Sequence, residues 1–274
     1  MTNDTQPVPY KSKFEINPPS TTDRRVSQLI WGPSGCGKTI LASTSVPKRL
    51  WLQFDPDGTH SIKPDPTNNL VIDLSSKPPS IVDEAKSFSN PFDLDNILKN
   101  DTTIRTVIVD SVTAFTTQAT AYAAGHKAAP GAVFENPSQS GYGFRNRFAL
   151  GLCKNILAVT NKHGRHVIFI CHEGVPETDK DGVVMSITLL LGGTLPSEVS
   201  LHMSEVWNMR DTGTKRMVAV RNVGVRKPMK SRMFDTSTKA EFESTYNVMT
   251  GQGLTIESLI NKWKDNKYEK IALP

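Results

Sequence analysis

Apolar residues along this chain follow two rhythms. Runs of β-branched and aromatic residues without alternation, at 26–31, 50–54, 106–110 and 166–171, read as strands covered on both faces, as a parallel sheet requires. Residues 70–72 mark a short third strand. Between the strands the spacing lengthens to three and four. Phe144, Phe148, Leu152, Ile156 and Val159 predict a helix over 142–162 that Gly164 closes, and their stripe is core. Other helices are expected to begin at 39–44, to run from 111 to about 124, near 81–87 and near 93–99, and over 256–264 with Thr255 as cap.

Strands alternating with helices predict an α/β fold with a mostly parallel central sheet and helices on both faces. Beyond 193 the pattern changes. Residues 206–209, a turn at Asp211-Thr212-Gly213, and 217–220 read as an antiparallel hairpin extending that sheet. Segments 64–69, 77–95, 125–140 and 174–193 are rich in Gly, Pro, Asn or Ser and read as loops. Residues 1–22 are polar, contain Pro7, Pro9, Pro18 and Pro19, and lack any period, so they read as a flexible arm. The expected division is arm 1–22, core 23–250, and a C-terminal helix with a basic tail over 251–274.

Composition narrows the class. The 274 residues are 37% hydrophobic and 22% charged, enough for one sizeable core. No apolar run nears the roughly 20 residues of a membrane span, and no signal core opens the chain, so a cytoplasmic protein without a membrane partner is expected. Cys36, Cys153 and Cys171 have no metal-like spacing and read as reduced thiols. The net charge of +5 lies in the last 74 residues, and 215–232 holds seven Lys and Arg without an acidic residue. Such a patch suits a polyanion.

The sharpest chemical signal is Gly32-Pro33-Ser34-Gly35-Cys36-Gly37-Lys38-Thr39, a phosphate-binding loop pattern set between a strand and a helix. Gly32, Gly35 and Gly37 let successive N–H groups curl inward at an anion, and the following helix adds its positive end. Lys38 is expected to reach the β- and γ-phosphates of ATP, and Thr39 to hold Mg²⁺. Asp110 emerges at the C-terminal end of the buried 106–110 strand, where a carboxylate on the Mg²⁺ side belongs.

Three segments together resemble the RecA-type recombinase ATPases: the phosphate loop, then 107–114 with Asp110 followed by Ser111, then 167–172 with a loop and Leu191-Gly192-Gly193. The likeness spans about 26–235 and leaves no room for the terminal domains of bacterial RecA, which makes the chain similar to core-only phage proteins of the Sak group and to AAA-type phage nucleotide-binding proteins. It implies a RecA-like P-loop NTPase core with ATP and Mg²⁺ as cofactors and ATP held between protomers. It also implies DNA-dependent ATPase activity in recombination or annealing on single-stranded DNA, in the host cytoplasm if phage-encoded. A ring or filament of this chain, and a single-strand-binding protein, are the implied protein partners.

By residue, the resemblance gives phosphate binding to Lys38 and Thr39 and metal support to Asp110. Asp57 stands where the family has a water-polarising Glu, with Asp55 as the alternative. His172 stands at the sensor position often held by Gln. The loops 125–140, with Phe134 and Tyr142, and 174–191 correspond to those facing DNA, although the second is acidic. Arg221, Lys227, Lys230 and Arg232 are candidates for DNA contacts or for reaching a neighbour's phosphate. Two alternatives stand beside this reading. One is a nucleotide-switched annealing protein with little turnover; the other is a P-loop kinase of a small molecule.

Overall fold

The unbroken apolar runs become the centre of a sheet. The computed structural model describes residues 24–75, 90–125 and 139–274. In chain order the strands are β1 (Ser27–Gly32), β2 (Arg49–Gln53), β3 (Asn69–Asp73), β4 (Thr106–Asp110), β5 (His166–His172), β6 (Glu177–Thr178), β7 (Val184–Ser186), β8 (Glu205–Asp211), β9 (Arg216–Ala219), β10 (Phe234–Asp235), β11 (Glu241–Glu243) and β12 (Ile271–Ala272). The helices are α1 (Lys38–Ala42), α2 (Leu94–Asn100), α3 (Val112–Gly125), α4 (Gln139–Lys162), α5 (Leu195–Leu201) and α6 (Ile256–Asp265). The expected arm, the helix near 81–87 and most of the 125–140 loop lie outside the described residues.

Eight strands form the main sheet in the order β11-β9-β8-β1-β5-β4-β2-β3. The six from β8 to β3 are parallel, and β9 and β11 add an antiparallel edge. The expected hairpin of β8 and β9 is present, and its first strand also pairs in parallel with β1, Leu29 opposite Val206.

Alternate residues of the central strands enter two separate cores, which explains why the runs show no polar face. Leu29, Trp31, Val107 and Val109 meet α2, α3, α4 and α5 on one side. Ile30, Ile108 and Ile170 meet α1 and α6 on the other. The second core includes Trp207, Phe234 and Phe242, with ring centroids 5.7 to 5.8 Å apart.

Two expectations need correction. The helix after the phosphate loop stops at Ala42, because the Ser43 and Thr44 hydroxyls each donate at 2.7 Å to the carbonyls of Ile40 and Leu41, capturing acceptors that another turn would use. The 174–193 segment is also more than a loop, since β6 and β7 pair there as a small antiparallel ribbon.

Candidate functional site

The phosphate loop leaves β1 at Gly32 under a tight constraint. A Cβ at that position would stand 1.9 Å from the Met209 carbonyl oxygen on β8, so only glycine lets the loop cross there. Gly37, at φ 101°, makes the left-handed step directly into α1. Ser34 and Gly35 form the exposed tip, Pro33 is half-buried, and Cys36 is buried behind them. Lys38 is only 5% exposed, and its Nζ donates to the carbonyls of Gly32 at 2.9 Å and Pro33 at 2.6 Å, so the loop closes around the ammonium. Burial lowers the Lys38 pKa, opposed by Cys36, Cys171, Asp110 and Glu173. Burial raises that of the Cys36 thiol.

Asp110 ends β4, two strands from β1 with β5 between them. The gap is bridged by Thr39, whose Oγ1 donates to Asp110 Oδ2 at 3.0 Å. Asp110 is 3% exposed, and burial pushes its pKa up to about 6; the Asp55 charge adds to the rise, while Thr39 and Lys38 oppose it. A buried carboxylate beside a hydroxyl is an oxygen donor set of the kind Mg²⁺ takes, with one or two protein ligands and the rest from phosphate and water.

The C-terminal ends of β1, β2, β4 and β5 surround a cleft of about 300 Å³, lined among others by Lys38, Thr39, Asp55, Asp57, Asp110 and His172. This is where open α/β sheets place ligands. His172 Nε2 lies 3.8 Å from Asp55 Oδ2, and its backbone N–H donates to Thr113 Oγ1 at 2.9 Å. Burial lowers the His172 pKa, helped by Lys38 and opposed by Asp55, so the ring is neutral at pH 7. Asp57 sits on the rim with its side chain 84% exposed and Oδ1 3.3 Å from His60 Nδ1. Asp55 is deeper, at 39%.

The basic run is weaker than its sequence implies. Lys215 pairs with Glu243 at 2.8 Å, Arg226 with Glu173 at 3.2 Å, and Arg216 lies 3.9 Å from Asp211. Two of these partners, Glu243 and Glu173, come from far away in sequence. The charged side chains of Arg221, Lys227, Lys230 and Arg232 form no ion pair within 4 Å among the described residues, and none lines the cleft. Arg221 donates to the Thr236 carbonyl at 2.8 Å and Lys230 to that of Leu201 at 3.2 Å.

One neighbour of the loop was not legible as such. A Cβ on Gly37 would stand 3.2 Å from Arg216 Nη1, so this side chain rests on the turn before Lys38. In the sequence it is one of seven cations in a run, and only the β8–β9 pairing shows where it goes.

A family model described as an AAA domain matches residues 24–244, most of the chain. AAA-type domains are nucleotide-binding ATPases that generally use ATP and Mg²⁺. No curated protein matches the sequence. Among the described residues, no helix is long and apolar enough to cross a membrane.

Proposed function

The chain belongs to this family of AAA domains, and from that premise we propose that it binds ATP with Mg²⁺ in the cleft and hydrolyses it while assembled on single-stranded DNA. The activity served would be recombination or strand annealing. The 3.0 Å contact from Thr39 to Asp110 carries the reading, because it joins the phosphate loop to a buried carboxylate across an intervening strand. A core packed for stability alone has no use for a carboxylate raised by burial at that junction.

In this reading Lys38 exchanges the carbonyls of Gly32 and Pro33 for the β- and γ-phosphates. Thr39 and Asp110 would hold Mg²⁺, which would supply neutralisation of phosphate charge. Asp55 and the neutral His172 position the attacking water, and their depth favours Asp55 over Asp57 for that role. The reaction is phosphoryl transfer to water by placement and charge stabilisation. The cations that do not line their own cleft, Arg221, Lys227, Lys230 and Arg232, would serve DNA or the site of a neighbouring copy. The kinase alternative finds little support, since α3, the helix after Asp110, carries no Arg or Lys for a phosphate lid.

ATP turnover with and without single-stranded DNA tests this. The wild type should be stimulated severalfold by DNA. Lys38→Ala and Asp55→Asn should each lower the rate about a hundredfold, and Asp57→Asn should stay within about threefold. A rate indifferent to DNA, with phosphate passed to a small acceptor, would overturn the proposal. A larger loss from Asp57→Asn than from Asp55→Asn would reassign the water.

A further inference from the structure

The N-terminal end of β2 borders a polar cavity of about 280 Å³ that shares no lining residue with the phosphate cleft. Arg49 opens β2 while Asp55 follows its other end, so about 13 Å of strand separates the two spaces.

The walls are the end of α1, the turn before β3 and the first turn of α6, represented by Thr44, Asp65 and Glu257. Backbone bonds fix them to one another. The Arg49 N–H donates to the Asn68 carbonyl at 2.7 Å, and the Glu257 N–H donates to the Thr44 carbonyl at 3.1 Å.

One wall holds a buried cation. Arg49 is 9% exposed, and its Nε, at 3.0 Å, and its Nη2 both donate to the Ser45 carbonyl. Among the described residues Nη1 has no acceptor, and no carboxylate lies within 4 Å of the guanidinium. Nη1 is not sealed from solvent, so it opens into the cavity that Arg49 lines. A buried charge without a counter-ion is costly, and the free edge of a guanidinium is shaped for a carboxylate.

Glu257 lines the same space. It is half-buried, and its carboxylate makes no hydrogen bond or ion pair among the described residues. Its charge is nevertheless near enough to oppose the lowering of the Arg49 pKa by burial. Asp65, the other carboxylate of the lining, is already held by Asn68, whose Nδ2 donates to Oδ2 at 2.8 Å. Lys63 is exposed at the rim.

Two opposite charges thus line one cavity without meeting. A simple anion on Arg49 would be repelled by Glu257, and a simple cation on Glu257 by Arg49, whereas a molecule carrying both signs answers both. We propose that this cavity binds a small zwitterion of the α-amino acid class, its carboxylate on the Arg49 guanidinium and its ammonium on Glu257. The volume suits such a ligand, being just below the range of drug-sized molecules. The site is independent of what the phosphate cleft binds.

Calorimetric titration of the full chain with L-alanine, L-serine and L-leucine tests the site, against acetate and ethylammonium as ligands with one charge each. At least one amino acid should bind, and at least tenfold more tightly than either single-charge ligand. Glu257→Gln and Arg49→Lys should each weaken that amino acid at least tenfold, with thermal unfolding checking that each variant is folded. Should a variant fail to fold, the single-charge ligands still test the pairing in the wild type. No binding by any of the three amino acids, acetate binding as tightly as they do, or affinity that survives Glu257→Gln would each overturn the zwitterion site.

Discussion

Burial of Asp110 has a stability consequence that does not depend on nucleotide. Its pKa rises from 3.8 to about 6 in the folded protein, so between these values the native state holds a proton that the unfolded chain has released. Stability therefore falls as pH rises through that window, and above it the cost of the buried charge stays constant. Asp110→Asn removes the charge and keeps an oxygen for the Thr39 hydroxyl. It should stabilise the nucleotide-free protein at pH 8 by about 2–3 kcal/mol and flatten the decline between pH 4 and 6. Urea unfolding of the two proteins at pH 5 and pH 8 measures this, and a variant less stable than wild type at pH 8 would show that Asp110 is a structural anchor. At this scale the sequence exposed the loop residues and Asp110, because both motifs are local runs. It did not show that Asp55 lies deeper than Asp57 or that Arg216 rests on the loop, because those facts depend on which strand ends meet.

The last helix shows how far a local pattern can be trusted. The Thr255 hydroxyl accepts from the Ser258 N–H at 2.9 Å, and the Ser258 hydroxyl accepts from the Thr255 N–H at 3.2 Å, a reciprocal cap. The helix then buries Ile256, Leu259, Ile260 and Trp263 against the core that also holds α1. The Thr44 hydroxyl, which helps to end α1, also accepts from the Ile256 N–H at 2.9 Å, so the two ends are joined. Thr255→Ala should lower stability by about 1 kcal/mol in urea unfolding with ATP turnover unchanged. A loss of turnover at full stability would mean that α6 acts on the site directly. Long periodic segments such as α4 were legible because many residues repeat one signal. The early end of α1 was not, since two hydroxyls there compete for the carbonyls that continue a helix. The strands β6 and β7, two and three residues long, are too short to show a period.

Across the whole molecule, sheet order turns separate motifs into a site. Gly32, His172, Asp110 and the Asp55 turn are distant in sequence, and the arrangement β1-β5-β4-β2 sets them side by side at one edge. Composition and period gave the α/β class, whereas the order of strands rests on pairings such as Ser27 with Val167 that no local pattern encodes. Charge behaves similarly: the 215–232 run looked uniformly basic until folding brought Glu243 and Glu173 to it. The central claim is that a triphosphate occupies this edge, and a crystal structure with Mg²⁺ and a non-hydrolysable ATP analogue tests it most directly. The account predicts the γ-phosphate on Lys38 Nζ and the metal against Thr39 and Asp110. A nucleotide bound elsewhere, with Lys38 still on the carbonyls of Gly32 and Pro33, would contradict it.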